Sequence, residues 1–468
     1  MIAFSGNIFI LGCGSVAKCS LPLLMKHIAI DPSRITVMDF IDTTTCIAEE
    51  IKKGVKYILQ RIIEDNYREI LPRYIKKGDI FIDLSFGVSS LAMIEWCHAQ
   101  GCPYLNASME VWDTTPNSET DFRKLTLYSR QMALREIIQS WDPLGPTAII
   151  DHGANPGLIS HLTKQGLVDL AHHFLKEKNL DPRANDIQIA LEKENFPNLA
   201  YLLGVKTIHI SEKDTQISNR AKEVDEFVNT WSVSGFIDEA IAPAEMGWGT
   251  HEKHLPVGAM EHESGPRNQI CLSEKGLDTW VRSWVPSGPI EGMVIRHGES
   301  FTISDYLTVF KDDKVIYRPT VHYAYKPCDA AIESLQELKM RNFVPQIEQR
   351  ILNDDIIFGE DELGCLLMGH DFGCWWTGSV LGFKEASHLI PHQNATTMQV
   401  ASAILAAVIY MIKYPNKGLC QPEDLPFKEI LEIAKPYLGK IISQKSNWSP
   451  LETRDNEEDK WQFPTFLL

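Results

Sequence analysis

Residues 229–252 place two tryptophans, Trp231 and Trp248, beside four carboxylates, Asp238, Glu239, Glu245 and Glu252, in a Gly- and Pro-punctuated stretch free of Lys and Arg. Aromatic faces beside unpaired acids suit a small organic cation, which needs a ring quadrupole and counter-charge. The same composition also suits an acidic surface loop whose tryptophans pack in the core. Further candidate chemistry is scattered along the chain. His209-Ile-Ser-Glu212-Lys-Asp214 leaves a strand-like run, and Arg296-His297 ends another, with His297 either a proton carrier or a satisfied strand-end residue. His370-Asp371-Phe-Gly-Cys-Trp375-Trp376 has the form of a binding turn, with the tryptophan pair expected to pack. His251, Glu252 and His254 are metal-ligand types, but no second cluster and no C-x-x-C spacing supports them, so no metal is expected.

A second kind of chemistry sits at the N-terminus. Asn7-Ile-Phe-Ile-Leu-Gly-Cys-Gly-Ser-Val-Ala17 is an apolar run that breaks into G-x-G-x-x-A and then a helical pattern. Gly12 allows the tight turn and Gly14 the close approach of a pyrophosphate. Ala17 lets helix and strand touch, and Ser15 and Val16 open a helix aimed at the phosphates. Arg34-Ile-Thr-Val-Met-Asp39 follows as a second strand ending in a carboxylate. Asp39 can bond both ribose hydroxyls of NAD and repel the extra phosphate of NADP, or serve only as a strand-end cap.

Positioning these groups requires a sheet. An alternating strand is expected at 55–61, and further strands at 79–83, 103–107 and 147–151, with helices at 45–53, 66–76, 89–100 and 122–140 between them. Six strands alternating with helices make a doubly wound Rossmann-type parallel sheet, whose ligands lie at the carboxyl ends of its strands. That rule nominates Ser85, Asn106, Ala107, Glu110, Asn155 and Pro156. Beyond Pro156 a helix over 158–176 leads to strand-like runs at 187–192, 205–211, 224–233, 269–273, 292–297, 301–310 and 315–325. They read as an inserted mixed α+β domain, so the fold class is α/β. The expected divisions are a nucleotide-binding domain over 1–155, a substrate or dimerisation domain over 156–385, an apolar helix near 394–413 returning to the first sheet, and C-terminal helices and a polar tail over 414–468.

Composition excludes some partners. A length of 468 residues accommodates two large domains, and 45 basic against 62 acidic side chains give a net charge of −17. That balance disfavours nucleic acid and anionic membranes. Ten cysteines without zinc-like or C-x-x-C spacing read as reduced thiols of the cytoplasm, and the N-terminus reads as the run-in to a strand rather than a signal sequence. The longest apolar stretch, 400–412, is short for a bilayer.

Several blocks carry a likeness: Gly12-Cys-Gly-Ser-Val-Ala, Asp151-His-Gly-Ala-Asn-Pro-Gly, His209-Ile-Ser-Glu-Lys-Asp-Thr-Gln, Asn229-Thr-Trp-Ser-Val-Ser-Gly-Phe, Pro243-Ala-Glu-Met-Gly-Trp-Gly-Thr-His-Glu and Asn394-Ala-Thr-Thr-Met-Gln-Val. Together they resemble the bacterial homospermidine synthases, within the saccharopine-dehydrogenase-like group. Leu84-Ser-Phe-Gly-Val departs from the more polar stretch expected there, and no catalytic role is carried onto it. The resemblance implies NAD as a retained cofactor, putrescine as substrate (with the use of spermidine left open) and a homodimer. It implies Trp231 as the cation–π contact, Glu212 and Glu239 as holders or bases for amines, Glu110 and Asn155 as lining, and His297 in proton transfer. Trp248, flanked by Gly247 and Gly249, is expected to pack. Two other functions remain open. One is an NAD(P)-dependent reductive-amination dehydrogenase of the saccharopine or carboxynorspermidine type; the other is a non-catalytic polyamine or NAD sensor.

Overall fold

The computed structural model describes residues 1–112, 121–451 and 460–468. The first sheet is parallel throughout. It contains β1 (Ile8–Leu11), β2 (Ile35–Asp39), β3 (Lys56–Leu59), β4 (Ile80–Asp83), β5 (Tyr104–Asn106) and β6 (Ala148–Ile149). A seventh strand, Leu419–Cys420, pairs with β6, so the order runs Leu419–Cys420, β6, β5, β4, β1, β2, β3. The chain reverses direction across the sheet at β1, which opens a crevice at its carboxyl end. Strands β1 and β4 are wholly buried, as a sheet covered on both faces requires.

The second sheet has ten strands. At its centre Thr207–Asp214 lies parallel to Thr320–Lys326, with Glu212 opposite Tyr325, and antiparallel to Glu360–Met368. The helix Leu158–Glu177 packs on this sheet and leads directly out of the first domain.

Two strand expectations fail. Residues 187–192 fall in the helix Ala184–Glu192, whose Ile187 and Ala190 are buried while Ile189 is exposed, a spacing of three rather than two. Residues 301–310 fall mostly in the helix Gly298–Tyr306, where Gly298 through Ser304 are all buried. A helix buried on every side carries no periodic signal. The run 224–233 contributes only Glu226–Asn229, which pairs with Glu348–Ile351 in a separate two-stranded sheet.

The helix Ala395–Lys413 is long and apolar enough to cross a membrane. It is instead a core element, packed against Ser15–His27 and Phe427–Ala434. The segment expected as C-terminal helices and tail also supplies Lys440–Ser446 to the second sheet. The polar tail predicted around Arg454–Lys460 falls largely outside the described residues. Beyond it, Phe463 and Phe466 are fully buried against that sheet.

Candidate active site

Two connected spaces lie at the carboxyl edge of the parallel sheet. The first is a groove of about 530 Å³ lined by Gly12, Gly14, Ser15, Val16, Asp39 and Ser85. Gly12 has φ +89°, and a Cβ there would stand 2.5 Å from the Leu84 carbonyl oxygen. A Cβ at Gly14 would meet nothing within 4 Å, so the backbone stands open to the groove. Gly14 caps the helix Ser15–His27 without a side-chain hydrogen bond, which leaves N–H groups free for an anion. At the other end Asp39 accepts from Cys13 N at 2.6 Å and Ile41 N at 2.9 Å. It therefore caps the strand and also faces the groove. These features fit a dinucleotide with its pyrophosphate over Gly14.

The second space is a cavity of about 170 Å³ that shares Val16, Ser85, Phe86 and Ser232 with the groove. Glu110, Asn155, Glu212, Trp231, Glu239 and His297 all line it. Ala107 and Pro156 do too, whereas Asn106 lines neither space. Asn106 is turned inward and buried: its Oδ1 accepts from Asp151 N at 2.8 Å and its N–H₂ faces the Met109 sulfur. There it ties two strand ends together.

Each lining residue is held by its own element. Ser232 Oγ accepts from Gly235 N at 3.1 Å and caps the helix Val233–Ile241, which carries Glu239. Trp231 precedes that cap, and its indole N–H donates to Tyr325 Oη at 3.1 Å. Tyr325 stacks on Tyr323, with ring centroids 5.1 Å apart and nearly parallel. Tyr323 donates its hydroxyl to Glu212, which also accepts from Asn155 Nδ2 at 2.9 Å. His297 precedes the helix Gly298–Tyr306. Its Nε2 lies 3.1 Å from Glu239 and its Nδ1 3.1 Å from Glu299.

The electrostatics follow from burial and partners. Burial lifts the Glu212 carboxyl to about 7 against the Tyr323 hydrogen bond, with nearby Asp214 adding to the rise. Burial lifts Glu110 to about 7 against the pull of Arg130. For His297 burial favours the neutral ring, but Glu299 and Glu239 outweigh it, and the imidazole holds its proton well above its usual range. The site thus contains two carboxyls poised near neutrality and an imidazolium between two glutamates. No Lys or Arg lines the cavity among the described residues.

The other acids of the 229–252 stretch are not cavity groups. Asp238 pairs with Arg296. Glu245 accepts from Leu127 N at 2.9 Å and Gln269 Nε2 at 2.7 Å. Glu252 accepts from Thr320 Oγ1 at 2.7 Å and from Phe463 N. His251 lies 2.9 Å from the Trp461 carbonyl oxygen. Trp376 is fully buried, and Trp375 donates to Ser443 Oγ at 3.0 Å, so this pair packs as expected. Asp371 is paired with Lys178 and Arg183, which makes its turn an ion-pair network.

Sequence reading missed Tyr323, Tyr325 and Glu299. The two tyrosines alternate on a strand whose neighbour carries Glu212, a register that sequence alone does not supply. Glu299 lay in the gap between the runs 292–297 and 301–310, both read as strands, so nothing marked it as part of a helix.

Fold and cavity define a two-domain, nucleotide-dependent enzyme of the saccharopine-dehydrogenase type. The saccharopine dehydrogenase NADP binding domain family matches residues 8–149, and the saccharopine dehydrogenase C-terminal domain family matches 153–446. Homospermidine synthase of Blastochloris viridis is 38% identical over 99% of this chain and 97% of its own. That of Mesorhizobium japonicum is 36% identical over 99% and 96%. The crystal structure of the Legionella pneumophila homospermidine synthase in complex with NAD is 36% identical, covers 100% of this chain and 98% of its own, and superposes with a TM-score of 0.88. The chain belongs to the homospermidine synthase family.

Proposed function

We propose that the protein joins two putrescines into homospermidine with NAD as a retained cofactor. The observation that carries this reading is one cavity, open to the nucleotide groove, whose wall combines Trp231 with Glu110, Glu212 and Glu239 and contains no Lys or Arg among the described residues. Putrescine is a dication at neutral pH, and both of its ends need acids. The carboxylate-bearing substrates of a saccharopine-type dehydrogenase would need Arg or Lys instead.

The groove residues Gly12, Gly14, Ser15, Val16 and Asp39 would hold NAD, with Asp39 selecting against a ribose phosphate. When bound, NAD would supply the hydride acceptor for the amine-bearing carbon and the donor for its return. The rest is the work of side chains. Glu212, positioned by Tyr323 and Asn155, holds one ammonium end. Glu239, backed by His297, takes the proton that the reacting ammonium must lose. Trp231 presents its ring to the iminium that forms, which a second amine attacks as ammonia leaves. The enclosed wall limits water, so exchange with an amine prevails over hydrolysis.

Ten unpaired thiols support a reducing cytoplasmic setting. We propose a homodimer as the working assembly, which sedimentation velocity tests. Incubation with NAD and putrescine tests the reaction: homospermidine and ammonia should appear without net NADH. Accumulation of NADH in step with putrescine loss would instead establish a dehydrogenase.

A further inference from the structure

Asp151 follows the last strand of the nucleotide-binding core, and the roles above leave it unused. Its φ is 52°, in the left-handed region that Asp and Asn tolerate better than other side chains. Its N–H donates to Asn106 Oδ1, and its buried carboxylate accepts from Gln131 Nε2 at 2.8 Å. Between this carboxylate and the substrate cavity lies a chamber of about 30 Å³. Asp151, His297, Glu239 and Glu110 line it, and the last three also line the substrate cavity. A polar chamber of this size has room for one water. Its other charged groups are engaged: Arg296 pairs with Asp238, and Arg130 donates to the Met109 carbonyl.

Charges face Asp151 from three elements. Burial first, then Glu299 on the helix Gly298–Tyr306, lift its carboxyl to about 7. Glu423 from the turn Pro422–Asp424 acts in the same sense, while Gln131 and Arg130 on Leu127–Ile138 oppose it.

The reaction requires a proton to be stored as well as a hydride. An alkylammonium, R–CH₂–NH₃⁺, yields an iminium, R–CH=NH₂⁺, one hydride and one proton. Exchange with the second ammonium gives R–CH=NH⁺–R′ and NH₄⁺ with no net proton. Return of the hydride needs one proton back, giving R–CH₂–NH₂⁺–R′. The cavity carboxylates must be ionised to receive the second diamine, so a proton left on them would oppose its entry. We propose that Asp151, through the chamber it shares with Glu239, stores the proton that the first half of the cycle releases and the second half reclaims. This rests on the aminobutyl-transfer reading and makes Asp151 a positioning and proton-holding residue rather than one that touches substrate.

Asp151→Asn tests it, because Asn keeps both the left-handed backbone and the side-chain shape. In a weakly buffered single turnover with NAD, putrescine and a pH-indicator dye, protons displaced by putrescine binding appear first, and in the NADH-forming phase that follows the wild type should show little further dye response. D151N should release about one proton per NADH and lose roughly tenfold in kcat with KM and NAD affinity unchanged. Retention of the proton by D151N, in an enzyme that still makes homospermidine, would overturn the storage role alone. Absence of homospermidine from the wild type would instead overturn the reaction reading. A readout without cofactor is the infrared difference between wild type and D151N below pH 7: one protonated-carboxyl component, beyond those of Glu212, Glu110 and Glu252, should be lost in D151N, and an unchanged protonated-carboxyl intensity counts against the proposal. Gln131→Met removes a hydrogen bond to the carboxylate, so it should keep the proton and move the alkaline limb of the kcat profile upward. No movement, or movement downward, would also refute it.

Discussion

One 24-residue segment builds two regions from the same residue types, and they do opposite work. At its start Trp231 and Glu239 meet His297 and Glu212 around a cavity. At its end Trp248, Glu245, Glu252 and His251 lie in packed protein: Trp248 meets Phe463 edge-on, and Glu252 accepts from the Phe463 N–H. The difference is in what fills the space opposite. The C-terminal Phe463 and Phe466 close over the second set, and backbone N–H groups, hydroxyls and amides satisfy its carboxylates. A buried carboxylate without such partners costs several kcal/mol, so acids with every partner in place are structural. The first set faces a void shared with the nucleotide groove, and its carboxyls near neutrality keep capacity for a cation. Acid and aromatic composition thus marks a candidate, and the packing behind it decides the outcome.

The sharpest way to break this comparison is to exchange the tryptophans for alanine. Trp231→Ala should lower turnover by about thirtyfold, the equivalent of roughly 2 kcal/mol of desolvated cation–π energy, with NAD binding retained. Trp231→Phe should keep part of the activity. Trp248→Ala should instead cost roughly 2–3 kcal/mol of stability in denaturant melts while the KM for putrescine holds. Equal kinetic defects would erase the distinction. Next in size, Asp39→Asn should weaken the preference for NAD over NADP by about tenfold in cofactor titrations, because it removes a charge facing the extra phosphate.

A smaller effect is expected from pH. Glu212 and Glu110 hold protons up to about 7, and a bound dication favours their ionised forms. Putrescine binding should therefore tighten as pH rises through 7 and release protons, measured by calorimetry in buffers of different ionisation enthalpy. Proton uptake would contradict this. The smallest effect belongs to the packed region. Burial raises Glu252 to about 7, so the folded state binds its proton more tightly than the unfolded chain does. Its stabilising contribution is complete below about 4.5 and is lost as pH rises through 7. Glu252→Gln should flatten that part of the stability profile and leave activity unchanged.

How much was legible follows from how local each signal is. The glycine turn at Gly12 and Gly14, the strand ending in Asp39 and the six core strands are short-range patterns, and all are present in the structure. Helix 184–192 escaped because Ile187-Gln-Ile189 alternates locally like a strand, and helix 298–306 because burial on every side leaves no period. The groups that hold the site in place escaped for a different reason. Tyr323 reaches Glu212 across 111 residues and Tyr325 reaches Trp231 across 94, and sequence spacing carries no trace of either contact.

By itself the chain determined which side chains could attract a cation and where a dinucleotide would turn over its glycines, because residue chemistry and local backbone freedom are properties of single positions. Only the tertiary structure decided that Trp231 faces a cavity while Trp248 faces phenylalanine, that Asn106 turns inward, and that Asp151 sits behind His297 across a water-sized chamber. Void, burial and pairing arise between distant segments, and they set which acids face a ligand and which close the fold.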